Sequence, residues 1–165
     1  MKHIGLIIIL FFSALSGQSQ VKDGRFMLPD VQAYQRGIEI FKPGKKLEVF
    51  STVDSLKAEV NWLKSNLIQR GIEVVTLPKG TLRIQKIRLS HSADAFFKQH
   101  PEGYRININQ DNIQITAGTK AGIHFGALTL SQLFDSGKIR VGVIQDYPAF
   151  SWRGYMVDVG RNYQS

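Results

Sequence analysis

The stretch YRININQDNIQITA, residues 104–117, decides the fold that the sequence predicts. On each side of the polar turn at residues 109–112, isoleucines alternate with polar side chains. A hydrophobic period of two is typical of a strand that buries one face and leaves the other in water. The stretch therefore predicts an antiparallel hairpin with one solvated face.

Helical periodicity flanks this hairpin on both sides. Upstream, an apolar stripe begins at Leu56 and forms one face of an α-helix, which Ser51 or Thr52 can cap and Gly71 can end. Downstream, Thr119 can cap a second helix that runs to about residue 134. The stripes consist of Leu56, Val60, Leu63 and Leu67 in the first helix, and of Ile123, Ala127, Leu130 and Phe134 in the second.

Further strands complete the domain. The phase of the apolar positions slips by one at Gln85 and Lys86, which predicts a β-bulge there. Residues 90–103 are predicted to be mostly loop. Together, the predicted strands and helices indicate an α+β fold, with an antiparallel sheet and about two helices on one face. The predicted strands outside the hairpin are 37–41, 47–50, 72–77, 81–89 and 139–144.

The N-terminus has the pattern of a secretory signal peptide. A positive start precedes an apolar run over residues 4–15, and small polar residues follow over 16–20. The run is short for a membrane-spanning helix, so we expect cleavage and export to the periplasm or the cell exterior, with no stable membrane insertion afterwards. Because the chain has no cysteine, the exported protein depends on its hydrophobic core rather than on disulfides.

The net charge of +8 is spread along the chain rather than concentrated. No run of basic residues is longer than two, and no predicted helix carries a basic stripe. Nucleic-acid binding proteins usually show such a patch or a recognisable motif. We therefore expect no nucleic-acid partner.

The residues before position 146 show no pattern typical of a catalytic or metal site. The histidines of this region lie at unrelated spacings, so we expect no metal. No aspartate stands next to a glutamate anywhere in the chain. The glycines at 118, 122 and 126 are too widely spaced for a phosphate loop and instead predict close packing of the second helix on the sheet. The histidines after the predicted signal peptide are His91, His100 and His124.

A different pattern begins after Gly154. Residues 155–159 are apolar on both faces except for Asp158, which is typical of a strand buried on both sides in a parallel sheet or barrel. If this is the first strand of a βα-barrel, Arg161 lies at its C-terminal end, where such barrels build their active sites. The Arg161 guanidinium can bind ligand hydroxyls or a carboxylate, and Asp158 can hold it in place. The alternative is an ordinary salt bridge at a strand end.

The stretch IQDYPAFSWRGYMVDVGRNY, residues 144–163, resembles the beginning of the catalytic barrel of glycoside hydrolase family 20, the exo-acting β-N-acetylhexosaminidases. Residues 102–106, 113–115 and 122–133 resemble the accessory domain that precedes this barrel in the family. Each piece alone is a weak signal, but the combination spans most of the chain after the signal peptide.

The resemblance implies that Arg161 binds hydroxyls of a non-reducing terminal N-acetylhexosamine and that Asp158 supports it. It also implies substrate-assisted catalysis, in which the 2-acetamido oxygen attacks the anomeric carbon, an aspartate orients that group and an adjacent glutamate is the general acid. This chain contains neither member of that pair, so no catalytic residue is assigned to it. It departs from the family pattern at Ala149, where arginine is usual, and at Asn162, where histidine is usual.

The sequence thus predicts a signal peptide over 1–20, a hexosaminidase-type accessory α+β domain over 21–150, and over 151–165 the start of a truncated TIM barrel. The implied partners are glycans that end in N-acetylglucosamine or N-acetylgalactosamine, with no cofactor and no metal. Two alternatives stay open. One is the accessory domain of another barrel glycosidase, such as an α-glucuronidase or a hyaluronidase-like enzyme, and the other is a self-standing glycan or protein interaction module.

Overall fold

The computed structural model describes residues 30–76, 84–137, 139–150 and 152–154. These residues form a seven-stranded sheet in the order β1-β7-β5-β6-β4-β2-β3. The helices α1 and α3 pack against each other and against strands of the sheet. The elements are β1 Ala33–Phe41, β2 Lys46–Ser51, α1 Lys57–Gln69, β3 Glu73–Val75, β4 Gln85–His91, α2 Ala95–Gln99, β5 Tyr104–Ile108, β6 Asn112–Ala117, α3 Lys120–Asp135 and β7 Ile139–Asp146.

The sheet is mixed, so the prediction of an antiparallel sheet is wrong for half of it. The pairs β1/β7, β5/β7 and β5/β6 are antiparallel. The pairs β2/β3, β2/β4 and β4/β6 are parallel. The parallel β2/β3 pair arises because α1 returns the chain to the end of the sheet at which β2 began. The prediction of a mixed α and β domain, with one sheet and few helices, is confirmed.

The hairpin at residues 104–117 is confirmed. β5 and β6 pair in antiparallel register from Tyr104 opposite Ala117 to Ile108 opposite Ile113. Asn109 closes the turn, because its Oδ1 accepts hydrogen bonds from the backbone N–H groups of Asp111, at 3.1 Å, and of Asn112, at 2.6 Å. An asparagine that bonds to the backbone two residues on is a common way to build such a turn.

The second predicted helix is confirmed together with its cap. Thr119 precedes α3 in extended conformation, and its Oγ1 accepts the N–H of Gly122 at 3.2 Å. The helix buries its apolar stripe against the sheet, with Ile123, Ala127 and Leu130 fully inaccessible to solvent.

The first predicted helix is confirmed, but its cap is not. A 3-10 turn over Asp54–Leu56 leads into α1, and neither start has a side-chain cap. Ser51 instead accepts the N–H of Val53 at 3.0 Å. The helix ends at a glycine as predicted, since Gly71 has a φ of 77°, in the left-handed region that favours glycine.

Two local predictions between β3 and β5 are wrong. β4 pairs with β2 without interruption from Gln85, so no bulge lies at residues 85–86. The register shift among the described strands lies instead in β1, between Arg36 and Ile40. The predicted loop 90–103 contains α2, which begins after Asp94 and buries Phe97.

Several predictions lie outside the described residues. They concern the signal peptide over 1–20 and the barrel strand over 155–159, and they include Asp158 and Arg161. Among the residues that are described, no helix is long and apolar enough to cross a membrane.

Candidate functional site

The site residues that the sequence predicts, Asp158 and Arg161, lie beyond the last described residue. The described chain that leads to them is the segment after β7, residues 147–150 and 152–154. We call it the junction segment. Its contacts determine how the α+β domain is connected to whatever follows, so it is the functional region that the structure can describe.

Asp146 is the last residue of β7 and links three parts of the domain. Its Oδ2 accepts the hydroxyl of Tyr104, on β5, at 2.8 Å. Its Oδ1 accepts the backbone N–H of Gln32, just before β1, at 2.9 Å. The Tyr104 hydroxyl also lies 2.6 Å from Thr129 Oγ1, on α3. Asp146 therefore connects the end of β7 to the core.

The protonation of this cluster follows from its chemistry. Burial raises the pKa of Tyr104, and the hydrogen bond and charge of Asp146 raise it further against the opposing effect of Thr129. The phenol therefore stays protonated, and its single proton goes to the carboxylate, which accepts only. Thr129 must then donate its own proton to the Tyr104 oxygen. All the hydrogen bonds of the cluster point toward Asp146.

The first residue of the junction segment lies on an aromatic cluster beside α2. The ring of Tyr147 stacks on His100 with centroids 3.9 Å apart. Phe96 meets Tyr147 edge-on at 5.9 Å and lies 5.0 Å from His100. The partners of Tyr147 therefore come from α2 and the residue that follows it. The sequence pattern did not predict this helix.

Arg153 attaches the far end of the junction segment to the same side of the domain. Its guanidinium forms an ion pair with Glu102, in the turn before β5, and lies over the ring of Phe125 of α3 at 5.8 Å. The same guanidinium donates to the Phe150 carbonyl at 3.4 Å. Arg153 therefore has a structural role in the junction segment.

Two large apolar side chains between these attachments face solvent. Phe150 is 75% exposed and Trp152 is 83% exposed. Aromatic side chains of this size normally lie in cores or interfaces. The junction segment is thus held at both ends and leaves an apolar surface uncovered in its middle.

The glycines of α3 allow the close approach that the sequence predicts. A Cβ at Gly122 would lie 2.5 Å from the Gly103 carbonyl oxygen, and one at Gly126 would lie 2.7 Å from Ile115 Cγ2. The helix can therefore touch the turn before β5 and the sheet beneath it. That turn carries Glu102, so the packing of α3 also fixes the partner of Arg153.

The histidines on β4 and α3 have packing roles in the structure. His91 lies with its Nδ1 3.4 Å from the Ala117 carbonyl, and His124 meets Trp62 of α1 edge-on at 5.2 Å. The part of the chain that the structure describes contains no group of three or more side chains suited to hold a metal ion.

The sequence pattern does not predict the cluster around Asp146, although Asp146 lies within the stretch 144–163 that carries the family resemblance. The contact between Tyr104 and Asp146 follows from the β5/β7 register, which places these residues opposite each other. That register is a long-range property. The signal available in the sequence was a tyrosine at the first position of one strand and an aspartate at the end of another.

Comparison with known proteins places this domain in a recognised group. The chain matches the family model for glycosyl hydrolase family 20, domain 2, over residues 26–147. It is similar to a β-N-acetylhexosaminidase from Cellulomonas fimi, with 29% identity over 106 residues that cover 61% of this chain and 21% of that protein. It is also 36% identical over 67 residues to a β-hexosaminidase from Akkermansia muciniphila, covering 38% of this chain and 14% of that protein.

The fold is similar to part of a solved enzyme. A GH20 exo-β-N-acetylglucosaminidase from Vibrio harveyi, in complex with N-acetylglucosamine, matches with a TM-score of 0.64 and 20% identity, over 83% of this chain and 21% of that chain. At this identity the likeness shows the fold alone. The chain spans about one fifth or less of the length of these proteins.

Proposed function

Because the chain belongs to glycosyl hydrolase family 20, we propose that it is the N-terminal part of an exported exo-β-N-acetylhexosaminidase. The observation that carries the proposal is the match to the domain 2 family model over residues 26–147. The resemblance of residues 102–106, 113–115 and 122–133 to the accessory domain is confirmed at the level of the family. The resemblance of residues 144–163 to the beginning of the barrel stays a prediction. In this proposal the substrates are glycans that end in N-acetylglucosamine or N-acetylgalactosamine.

The described domain acts as a support in this proposal, and the chemistry takes place in a barrel that begins at about residue 151. Arg161 donates its forked N–H groups to hydroxyls of the terminal sugar, which suits a planar guanidinium better than a lysine. Asp158 accepts from Arg161 and keeps it in one orientation. Both residues bind or position substrate, and neither takes part in proton transfer.

Hydrolysis in this proposal is substrate-assisted. The 2-acetamido oxygen attacks the anomeric carbon while a general acid protonates the leaving oxygen, and water later opens the cyclic intermediate. An aspartate that holds the acetamido group and an adjacent glutamic acid are required. The chain has no adjacent Asp–Glu pair, so we expect this chain alone to be inactive.

The uncovered aromatic residues support the placing of a barrel after the junction segment. Phe150 and Trp152 stand immediately before the predicted barrel strand and are 75% and 83% exposed. Together they leave roughly 300 Å² of apolar surface in water, whose burial is worth up to about 7 kcal/mol. A domain that follows the junction segment can cover this surface.

Assays on a chromogenic β-N-acetylglucosaminide test the proposal. We expect no turnover by this chain, and turnover once the chain is joined to the barrel encoded downstream. In that longer protein, Arg161→Ala should raise KM about tenfold or more, since it removes charge-assisted hydrogen bonds to the sugar. The matched control is Arg88→Ala, which removes an exposed arginine from β4 in the accessory domain.

Several results would contradict the proposal. Turnover by this chain alone would show that the catalytic groups lie within it. Turnover of an α-glucuronide or of hyaluronan by the longer protein, without turnover of the N-acetylglucosaminide, would favour another barrel glycosidase. Tight glycan binding by this chain alone would favour an interaction module.

Export is tested separately by the N-terminal sequence of the protein recovered outside the cytoplasm. We expect cleavage near residue 20, after the small polar residues that follow the apolar run. Recovery of a chain that still begins at Met1 and remains membrane-bound would show an uncleaved anchor instead.

A further inference from the structure

We propose that Asp146 is a positioning residue that fixes where the chain leaves the sheet, and hence where the predicted barrel strand begins. The first half of this proposal concerns the described domain alone. The second half rests on the proposed function, because it needs a barrel to position.

The geometry around Asp146 is unusual for the last residue of a strand. Both carboxylate oxygens are used: Oδ1 by the N–H of Gln32 and Oδ2 by the hydroxyl of Tyr104. The tyrosine is only 3% exposed and belongs to the core, so this second bond attaches the strand end to a group that cannot move independently. β7 is paired with β5 up to its last residue, since Tyr104 lies opposite Asp146 in the ladder. The Asp146 side chain adds two further attachments at this point.

The cluster joins the elements that must stay aligned for the junction segment to keep its path. Tyr104 begins β5, Gln32 precedes the edge strand β1, and Thr129 belongs to α3. Because Tyr104 donates to Asp146, loss of the carboxylate removes a charge-assisted hydrogen bond from a buried hydroxyl and leaves Thr129 Oγ1 as its partner. The cluster therefore favours the arrangement in which Asp146 stays in place.

The other contacts of the junction segment are weaker candidates for this role. The ion pair of Arg153 with Glu102 is 47% and 41% exposed, and exposed pairs contribute little because water screens them. Tyr147 and its partner His100 are also partly accessible to solvent. Both contacts guide the segment after it has left the sheet, whereas Asp146 acts at the point of departure.

Limited trypsin digestion of this 165-residue chain measures the proposal directly. Cleavage after Arg153 requires trypsin to take the Arg153 guanidinium into its specificity pocket, which breaks the ion pair with Glu102. The product that ends at Arg153 is identified by its mass. When release and re-docking are fast, the cleavage rate follows the population of the released state. Asp146→Ala removes two hydrogen bonds, one of them to the buried tyrosine, so we expect cleavage at Arg153 about tenfold faster or more.

Two conservative variants separate the role of the carboxylate from a loss of folding. Asp146→Asn keeps one acceptor oxygen and should give an intermediate rate. Tyr104→Phe keeps the ring in the core and removes only the hydroxyl, so it should also accelerate cleavage. If Asp146→Ala does not fold, these two variants still carry the test.

The matched control is Val49→Ala, which removes core volume from β2 at the other side of the sheet, where Val49 is 1% exposed. It should lower the urea midpoint while leaving the cleavage rate at Arg153 within about twofold of the wild type. An unchanged rate in Asp146→Ala would overturn the proposal. Equal acceleration in Val49→Ala would do the same, since the cleavage would then report general unfolding.

These outcomes are independent of the enzymatic proposal. The digestion uses no substrate, so a failure here leaves the hexosaminidase assignment standing. Conversely, a longer protein that lacks glycosidase activity would contradict the proposed function while faster cleavage in Asp146→Ala still showed the anchoring.

Discussion

Replacing Gly122 by alanine tests how closely α3 approaches the turn before β5. A Cβ at this position would lie 2.5 Å from the Gly103 carbonyl oxygen and 2.8 Å from Ala117 Cβ. An unstrained contact between carbon and a carbonyl oxygen needs about 3.3 Å, so the start of the helix must retreat by roughly 0.8 Å. Since neither obstacle is the end of a flexible side chain, no change of rotamer can relieve the clash.

Two opposing effects set the magnitude. Overpacking of this kind costs about 1–3 kcal/mol, and an obstacle made of backbone places it at the upper end. The higher helix propensity of alanine than of glycine stabilises the folded state by up to about 1 kcal/mol. We therefore expect Gly122→Ala to lower the free energy of unfolding by about 2 kcal/mol, which for a domain of this size lowers Tm by about 8 °C.

Urea unfolding followed by far-UV circular dichroism measures this difference. The matched control is Ala121→Gly, at the exposed neighbouring position, which reports the helix propensity alone and should cost up to about 1 kcal/mol. If Gly122→Ala proved as stable as the wild type or more stable, the close contact between α3 and Gly103 would be refuted.

Three further predictions concern stability. Thr119→Ala should lose about 1 kcal/mol in urea unfolding because Gly122 N–H loses its cap, whereas Thr119→Ser should lose much less. Burial holds the pKa of Tyr104 above its unfolded value of 10.0, so the unfolded chain releases this proton first as pH rises. The wild type should therefore lose up to about 1.4 kcal/mol between pH 8 and pH 11 that Tyr104→Phe does not lose, as judged by unfolding at both pH values. The hydrogen bond from Arg70 lowers the pKa of Asp135, so its stabilisation is present above the unfolded value of 3.8 and is lost as the pH falls through the folded value. Because the Asp135 side chain is 57% exposed and that of Arg70 is 25% exposed, water screens the pair in part, so Arg70→Ala should cost about 1 kcal/mol at pH 7. Its difference in urea midpoint from the wild type should narrow in acid, although the hydrogen bond from Arg70 to the Asn66 carbonyl is lost at every pH.

The sequence predicts those parts of the fold that depend on local chemistry. The hairpin follows from alternation and from Asn109, and α3 follows from its apolar stripe and its Thr119 cap. The direction of β4 depends instead on its long-range pairing with β2 and β6, which no local pattern records. α2 was missed because Ala95–Gln99 is too short to show a helical period.

The candidate site likewise has a part that local sequence predicts and a part that depends on long-range contacts. Asp158 and Arg161 were chosen from a local pattern and a family resemblance, and they remain predictions. The attachment through Asp146 could not be predicted, because it needs the β5/β7 register that puts Tyr104 opposite Asp146 and the helix packing that brings Thr129 to the same hydroxyl. Each of these contacts joins residues at least 25 positions apart in the chain. A polar residue at a strand end therefore looks like a simple boundary in sequence. In the fold it is the point where the end of β7 is tied to β5 and to the chain before β1, because its carboxylate accepts from Tyr104 and from Gln32, and Tyr104 in turn bonds to Thr129 of α3.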